Sequence, residues 1–174
     1  DRLSPDAIAD LHPEIGQALA LELRSLSSND EVLAAAIRRL PVVLGVAGTY
    51  DRAVGPVPRS AAVFRMQGDP LPYLWKFPSA LASLGPIDAA ATSRALISAD
   101  VRHGIVRSVP LLAVVGDTPM PSLSLEILRV GVREAALTVR TGTRGIESIG
   151  IGDVRIRPET DGHLWVRFGP HEPG

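Results

Sequence analysis

The chain has 174 residues, a formal net charge of -1 at pH 7 and a hydrophobic fraction of 45%, values that fit one globular domain (1–174) with a buried core. The balanced charge lacks the basic excess used to bind nucleic acid or an anionic membrane. The absence of cysteine excludes disulfides, thiol catalysis and thiolate metal sites. No apolar stretch reaches the roughly 18 residues that a membrane span needs, and no signal-peptide pattern opens the sequence.

The first segment predicts helices followed by a strand. Apolar residues recur near helical spacing from Pro5 to Leu26, which predicts a short helix and then a longer one. Asn29-Asp30 is typical of the N-cap of another helix, and Pro41 ends that helix and opens a short buried strand at 42–46. The apolar face of this helix is expected to contain Val32, Leu33, Ala36, Ile37 and Leu40.

The next segment is less regular. A short strand is predicted at 61–66, and 67–78 is predicted to be irregular because its prolines interrupt helices. A short helix is predicted at 78–84, with Pro78 in its first turn, and a strand near 95–98.

The centre of the chain reads as turn, strand, turn and helix. A polar turn at 100–103 is closed by Gly104, where positive φ carries no steric cost. The apolar run at 105–115 predicts a buried strand, in which Arg107 faces away from Val106. A turn at 116–119 then leads into a helix at 121–128.

The last part predicts strands at 134–139, 146–151, 154–158 and 163–168, separated by glycine-containing turns. Taken together, these elements predict an α/β fold: a single domain with a central mixed sheet flanked by helices.

The central segment also carries a family resemblance. The sequence DVRHGIVRSVPLL at 100–112, followed by PSLSLEILR at 121–129, resembles the centre of a CHASE domain of the second type. The helix beginning NDEVLA at 29–34 and the following PVVLG at 41–45 match the same family, as does the final hairpin. The usual family turn has Asp-Gly before the two aliphatic residues, whereas this chain has Arg102-His103-Gly104.

The resemblance implies a function and a location. Domains of this type are the extracytoplasmic (periplasmic) sensory parts of inner-membrane bacterial receptors with an adenylate cyclase or histidine kinase output. The expected function is therefore non-enzymatic detection of an environmental or small-molecule signal, without a cofactor. The family domain extends past both ends of this sequence, so the membrane helices and the output domain are expected outside it.

Five residues are candidates for binding the ligand: Arg107, Tyr73, Trp75, Asp100 and His103. An arginine on an apolar strand either captures an anionic ligand through its bidentate fork, forms a structural salt bridge, or extends its head to solvent. The rings of Tyr73 and Trp75, with Phe77 and with Lys76 among them, line a ligand pocket, form a surface for a partner, or pin a loop to the core. Trp165 either packs under a helix or lies at an interface.

Two other functions remain open. A dimerisation or partner-binding scaffold without a small ligand would use exposed sheet edges to pair two copies. A hydrolase would rest on Asp100 with His103 and Asp161 with His163, although each pair is also a simple turn. The sequence has no G-x-S-x-G elbow and no metal-ligand spacing, and Ser122 is expected to cap a helix. We therefore assign no catalytic and no metal-binding residue.

Overall fold

The computed structural model describes residues 27–51, 57–102 and 104–169, and of Arg102 it describes the backbone alone. The helices predicted between Pro5 and Leu26, and the candidate His103, lie outside these residues. The described helices are α1 (Asn29–Ile37), α2 (Gly85–Ala90) and α3 (Leu123–Gly131). The described strands are β1 (Val43–Thr49), β2 (Val63–Gln67), β3 (Trp75–Phe77), β4 (Ser79–Leu81), β5 (Ser93–Leu96), β6 (Asp100–Arg102), β7 (Ile105–Pro110), β8 (Leu112–Val115), β9 (Thr118–Pro121), β10 (Ala136–Gly142), β11 (Gly145–Ile151), β12 (Val154–Ile156) and β13 (His163–Trp165).

The described part of the chain is mostly β, so the predicted central mixed sheet flanked by helices is wrong. Strands account for 43% of the described residues and helices for 18%. The strands form four small sheets, in the orders β4-β1-β5, β12-β11-β10-β2, β13-β7-β6 and β3-β8-β9. The pairs β1–β5, β2–β10 and β3–β8 are parallel and the other pairs are antiparallel. Short strands joined by tight turns bury their apolar faces against one another, so few helices are needed as covers.

Strand β8 separates two parts of the hydrophobic core. Its alternate residues Leu112 and Val114 pack with the inner side of β10 and β11, while Ala113 and Val115 pack with β1, β3 and β5. All four of its residues are buried. A strand covered on both faces reads as a continuous apolar run, which is how this segment appears in the sequence.

The apolar run at 105–115 is therefore two strands and not the single buried strand predicted. Strand β7 ends at Pro110 and is largely solvent-accessible, and β8 begins at Leu112 in a different sheet. The residue between them, Leu111, donates its backbone N–H to the carbonyl of Gly162 at 2.9 Å. This bond fixes the position at which the chain passes from the sheet of β7 to the sheet of β8.

Several local predictions are confirmed. The helix after the central strands exists as α3, and Ser122 caps it by accepting the N–H of Leu125 at 3.3 Å. The helix before Pro41 exists as α1, but its N-cap is Ser28, which forms a capping box with Glu31. Its predicted apolar face is only partly correct, because Ile37 is buried whereas Val32, Leu33 and Leu40 are exposed among the described residues.

The predicted helix at 78–84 is wrong. Residues 79–81 form β4 and pair with β1, and the helix of this region is α2, which begins at Gly85. The side chain of Ala80 packs in the core beside Phe77. Pairing with β1 places Ala80 there, so tertiary contact outweighs the local preference set by Pro78.

Helix α3 is fixed by a buried polar network. The carboxylate of Glu126 is fully buried and accepts hydrogen bonds from Arg129, at 2.6 and 2.8 Å, and from the hydroxyls of Ser60 and Ser93. Arg129 also donates to the carbonyl of Glu134. The hydrogen bonds that Arg129 donates to Glu126 raise the pKa of Arg129, which keeps the guanidinium charged despite its burial. The network ties α3 to β5 and to the segments preceding β2 and β10.

Candidate functional site

Two adjoining hollows lie beside the β13-β7-β6 sheet and share Asp100, Asp161 and His163. The first hollow has a volume of about 270 Å³ and the second about 440 Å³. We call the two together the aromatic cleft. Its other lining residues are Ile105, Arg107, Ser108, Glu159 and Trp165 in the first hollow, and Tyr50, Tyr73, Leu74 and Trp75 in the second.

Strand pairing brings distant segments together at the first hollow. Ser108 on the central strand β7 pairs with Asp100 of β6 on one side and with Trp165 of β13 on the other. The β6–β7 hairpin closes through Gly104, whose φ is 77°, as the sequence predicted. The row Asp100–Ser108–Trp165 therefore results from a hairpin on one side and from a long-range pairing on the other.

The turn that carries His163 is held tightly against the core. Asp161 accepts the backbone N–H of His163 at 3.1 Å, and the N–H of Gly162 bonds to the carbonyl of Glu159 at 2.9 Å. A Cβ on Gly162, where φ is 83°, would lie 2.9 Å from a methyl of Leu74. The absence of a side chain thus lets this turn approach the core, which fixes the direction of the His163 ring.

The His163 ring has an unusual polar environment. Its Nδ1 lies 3.2 Å from Oδ2 of Asp161, close enough for an ion pair when the ring is protonated. The two atoms are not aligned for a hydrogen bond, and the buried Nδ1 has no hydrogen-bond partner among the described residues. The histidine side chain is only 14% exposed, so it is the rest of the ring, and not this nitrogen, that can face the cleft.

Aromatic rings form the wall of the second hollow. The ring of Trp75 lies 4.5 Å from that of Phe77 and 5.8 Å from that of His163, measured between centroids. The indole N–H of Trp75 donates to the hydroxyl of Tyr50 at 2.6 Å. Gly48 permits this packing, because a Cβ there would lie 2.5 Å from the Phe77 ring. Phe77 therefore pins this segment to the core, and Trp75 lies on the wall of the hollow.

A second tryptophan stands at the edge of the first hollow. Trp165 is 60% exposed, and its indole N–H donates to the carboxylate of Glu159 at 3.1 Å. The hydrogen bond orients the ring, which does not pack under a described helix. An exposed tryptophan with a fixed orientation is typical of a contact surface for a ligand or a partner.

The charges around the aromatic cleft are mixed, with an acidic excess. Asp100, Glu159 and Asp161 contribute carboxylates, whereas Arg107 contributes a guanidinium. Arg107 is exposed, and its side chain forms no salt bridge or hydrogen bond with the described residues. Of its three predicted roles, the structural salt bridge is therefore not found in that part of the chain, and its head is available to solvent or to a ligand.

The structure brings together four of the five candidate residues. Arg107 and Asp100 line the first hollow, and Tyr73 and Trp75 line the second beside Asp100. His103 lies outside the described residues. The sequence did not indicate Tyr50, Ser108 or Glu159 as binding residues, and it presented Asp161 and His163 only as a turn or a hydrolase pair. For His163 a signal was present: the strict alternation after Asp161-Gly162 places it on the same face as Trp165.

The same residues resemble part of a catalytic arrangement. Ser108, His163 and Asp161 line one hollow, and the histidine and aspartate lie within 3.2 Å of each other. No hydrogen bond joins Ser108 to His163 among the described residues, so the serine is not activated in this conformation. The described residues contain no group of three or more His, Asp or Glu side chains arranged to hold a metal ion.

Comparison of the chain with protein-family models, with curated proteins and with solved structures gives no match. Among the described residues, no helix has the length and apolar character needed to cross a membrane. The aromatic cleft is therefore interpreted from its own geometry and chemistry.

Proposed function

We propose that this chain is the extracytoplasmic ligand-binding region of a membrane-anchored bacterial receptor. In this proposal the membrane helices and an adenylate cyclase or histidine kinase output belong to parts of the receptor outside this sequence. The resemblance of 100–112 to a CHASE domain of the second type motivates the location and the output. The aromatic cleft supports the binding function.

The observation that carries the proposal is the convergence of four separate segments on one concave site. Tyr50, the 73–75 segment, the β6–β7 hairpin and the 159–165 segment all contribute to the aromatic cleft. Their side chains provide stacking surfaces, carboxylates, a guanidinium and an imidazole ring. A concave site with a few convergent polar groups among aromatic walls is typical of sites for small molecules.

The charges indicate the class of ligand. Aromatic faces beside carboxylates favour an ammonium or a similar cation, through cation–π and ionic contacts. Arg107 supplies a cation for a carboxylate at the other end of the ligand. The cleft therefore fits a small zwitterion, with its amino group between Trp75 and Asp100 and its carboxylate near Arg107. A purely anionic ligand fits less well because three carboxylates line the site.

Sensing requires that the ligand bind two conformations of the domain unequally. The 161–163 turn is held by Gly162 against Leu74, whereas a Cβ added at Gly104 in the β6–β7 hairpin would contact none of the described residues within 4 Å. Ligand contacts that join these two sides stabilise one position of the hairpin. A shift in the hairpin population is then the signal that passes to the rest of the receptor.

A thermal-unfolding screen of the 174-residue chain tests the binding function. We expect small amines, amino acids and betaines to raise the melting temperature in a saturable manner. At a hundredfold excess over Kd the stabilisation is about 2.7 kcal/mol, or about 5–11 °C for a chain of this size. Purely anionic and uncharged compounds of equal size serve as controls for the ligand.

Variants locate the site. Trp75→Leu and Asp100→Asn should weaken binding of the amino group, and Arg107→Gln should weaken zwitterions more than simple amines. Arg39→Gln changes an exposed arginine outside the cleft and is the matched control. Shifts that persist unchanged in all three cleft variants, or no shift with any compound, would contradict the ligand site.

Digestion of this domain by protease added to intact spheroplasts tests its location, and protection there would contradict an extracytoplasmic domain.

A scaffold that pairs two receptor chains is the second candidate. Its specific support is a set of exposed apolar side chains: Val101, Ile105 and Phe168. They lie on or next to the β13-β7-β6 sheet, whose described edge strands are β6 and β13. Edge strands with exposed apolar side chains favour pairing with another copy. Sedimentation that shows a concentration-dependent dimer, lost on Val101→Lys, together with no ligand-induced shift, would favour this candidate.

A further inference from the structure

A second polar hollow lies on the outer face of the β12-β11-β10-β2 sheet, away from the aromatic cleft. The inner face of this sheet is buried through Leu137, Val139, Ile149 and Ile151. Alternation therefore directs the intervening residues of β10 and β11 outward. The hollow has a volume of about 310 Å³. We call this surface the arginine face, and its defining residues are Arg65, Gln67, Thr138, Arg140, Ser148, Gly150 and Arg155.

Strand register places these residues in two rows across the sheet. One row across the four strands runs Arg65, Thr138, Gly150 and Arg155, and the next runs Gln67, Arg140 and Ser148. In the first row the two central strands hold the small residues Thr138 and Gly150 and the outer strands hold arginines, whereas in the second row the central strand β10 holds Arg140. Arg65 and Arg155 lie three strand spacings apart, or about 14 Å. Their side chains are long enough to extend over Thr138 and Gly150 from opposite sides.

The charge of the arginine face differs from that of the whole chain. The sequence carries a net charge of -1, but this face presents three guanidinium groups. Asp153 at the rim is the one acidic residue that lines the hollow. Arg65, Arg140 and Arg155 form no salt bridge or hydrogen bond with any described side chain. Arg140 and Arg155 line the hollow, and Arg65 lies beside it on the same face, paired with Thr138. Three cations without internal partners on one face of a sheet favour an anionic occupant.

We propose that the arginine face binds a small multivalent oxyanion, such as a phosphate ester or a polycarboxylate. The planar fork of each arginine matches a phosphate or carboxylate group through two parallel hydrogen bonds. Arg140, which lies one row along from the other two, provides a third point of contact. Thr138 and Ser148 supply hydroxyl donors at the floor. This site is separate from the aromatic cleft and does not depend on the function proposed for that cleft.

Titration calorimetry of the 174-residue chain tests the site with pyrophosphate, inorganic phosphate and citrate as probes. We expect saturable binding of pyrophosphate or citrate that exceeds that of acetate and weakens when sodium chloride is raised from 50 to 300 mM, because salt screens the contacts. Preference for pyrophosphate would indicate a phosphorylated ligand, and preference for citrate a polycarboxylate. Equal heats for all probes and for acetate would overturn the proposal.

Variants separate a built site from general attraction to positive charge. Arg65→Gln, Arg140→Gln and Arg155→Gln should each weaken binding roughly 10- to 100-fold, since each removes a charge-assisted contact. Gly150→Val retains all three cations but fills the floor; a Cβ there makes only ordinary contacts, at 3.7 Å or more, so the sheet should still form. Arg39→Gln again changes an arginine elsewhere and should leave binding unchanged.

Each variant's unfolding midpoint without probe shows whether it is folded. Folded Arg65→Gln, Arg140→Gln and Arg155→Gln proteins that bind as the parent does would overturn the proposal. Weakening by Arg39→Gln as strong as that by Arg155→Gln would also overturn it, since binding would then follow net charge alone. Binding lost in folded Gly150→Val, with all three arginines in place, would support a shaped site.

Discussion

Replacing Glu126 with glutamine should destabilise the domain strongly, although it exchanges only one carboxylate oxygen for an amide N–H₂ group. The substitution keeps the size and shape of the side chain, so it creates no cavity. It removes the negative charge that faces Arg129, whose side chain is only 7% exposed. It also places an amide N–H₂ either at Oε2, which now accepts one hydrogen bond from the guanidinium, or at Oε1, which accepts one from the guanidinium and one from each serine hydroxyl.

The magnitude follows from the uncompensated charge. Breaking a buried ion pair by removing one partner costs about 3–5 kcal/mol, because the other charge stays buried. The guanidinium cannot lose its proton to escape, since arginine stays charged in proteins. For a chain of this size the loss corresponds to a fall in melting temperature of about 6–20 °C. That is a large part of the 5–15 kcal/mol that holds a typical domain folded.

The assay is reversible urea unfolding followed by circular dichroism, with Asp88→Asn as the matched control. Asp88 and Arg94 also form a carboxylate–guanidinium pair at 2.8 Å, but their side chains are 29% and 19% exposed. Water therefore solvates whichever partner remains, and we expect a loss of about 1 kcal/mol. The double variant Glu126→Leu with Arg129→Leu should recover at least half of the loss, because two apolar residues leave no buried charge.

Equal losses for Glu126→Gln and Asp88→Asn would refute this reasoning, since burial would then make no difference to the pair. A double variant no more stable than Glu126→Gln would also refute it. In that case the hydrogen bonds from Ser60 and Ser93, and not the charge of Arg129, would account for the role of Glu126.

The remaining predictions concern turns and the wall of the cleft. Gly104→Val should cost about 1–2 kcal/mol in urea unfolding, because φ is 77° there, whereas Gly104→Asn should cost less; equal costs would contradict the turn. Gly145→Ala should cost about 2–4 kcal/mol, because its Cβ would lie 2.2 Å from the carbonyl oxygen of Thr160, and a neutral effect would contradict the packing of that hairpin. Tyr50→Phe and Trp75→Phe each remove one end of a 2.6 Å hydrogen bond and should each cost about 0.5–1.5 kcal/mol, with a double variant costing less than their sum; strict additivity would contradict the bond.

Local signals in the sequence were sufficient for the hairpins and for α3. The pairs β10–β11 and β11–β12 follow glycine turns, and Ser122 stands where a helix cap is expected. Each of these features depends on a few neighbouring residues, so the sequence determines it without reference to the rest of the chain. The strand after Pro41 belongs to the same class.

The fold class was missed because strands of three or four residues carry almost no local signal. Strand β9 contains Pro119 and Pro121, which argue against a strand. It is nevertheless an edge strand beside β8, where proline is tolerated because no further strand needs its N–H. Strand β3 likewise falls inside a proline-rich segment. Only pairing with β8 shows that these segments are strands, and pairing is a property of the whole chain.

The sequence predicted only part of the aromatic cleft, because the cleft also depends on long-range strand pairing. The resemblance directed attention to Asp100 and Arg107, and composition to Trp75, but no local pattern places these residues together. The β7–β13 pairing, which brings Trp165 opposite Ser108, joins parts of the chain that are far apart in sequence. Of the lining residues that this pairing brings to the cleft, the sequence presented Trp165 only under a helix or at an interface, and His163 only in a turn or a hydrolase pair.

The arrangement of the aromatic cleft also limits which of its sides can respond to a ligand. Gly162 lies against Leu74, and its carbonyl accepts the N–H of Leu111 at the point where the chain passes into β8. Moving the 161–163 turn would therefore disturb β8, the strand that separates the two parts of the core. We expect the free energy of that disturbance to exceed the difference in binding free energy that a small ligand provides. In the β6–β7 hairpin, by contrast, a Cβ added at Gly104 would contact none of the described residues. If the proposed ligand contacts His163 on the fixed side and Asp100 or Arg107 on the hairpin side, we therefore expect the hairpin to be the side that responds, and the signal to begin there.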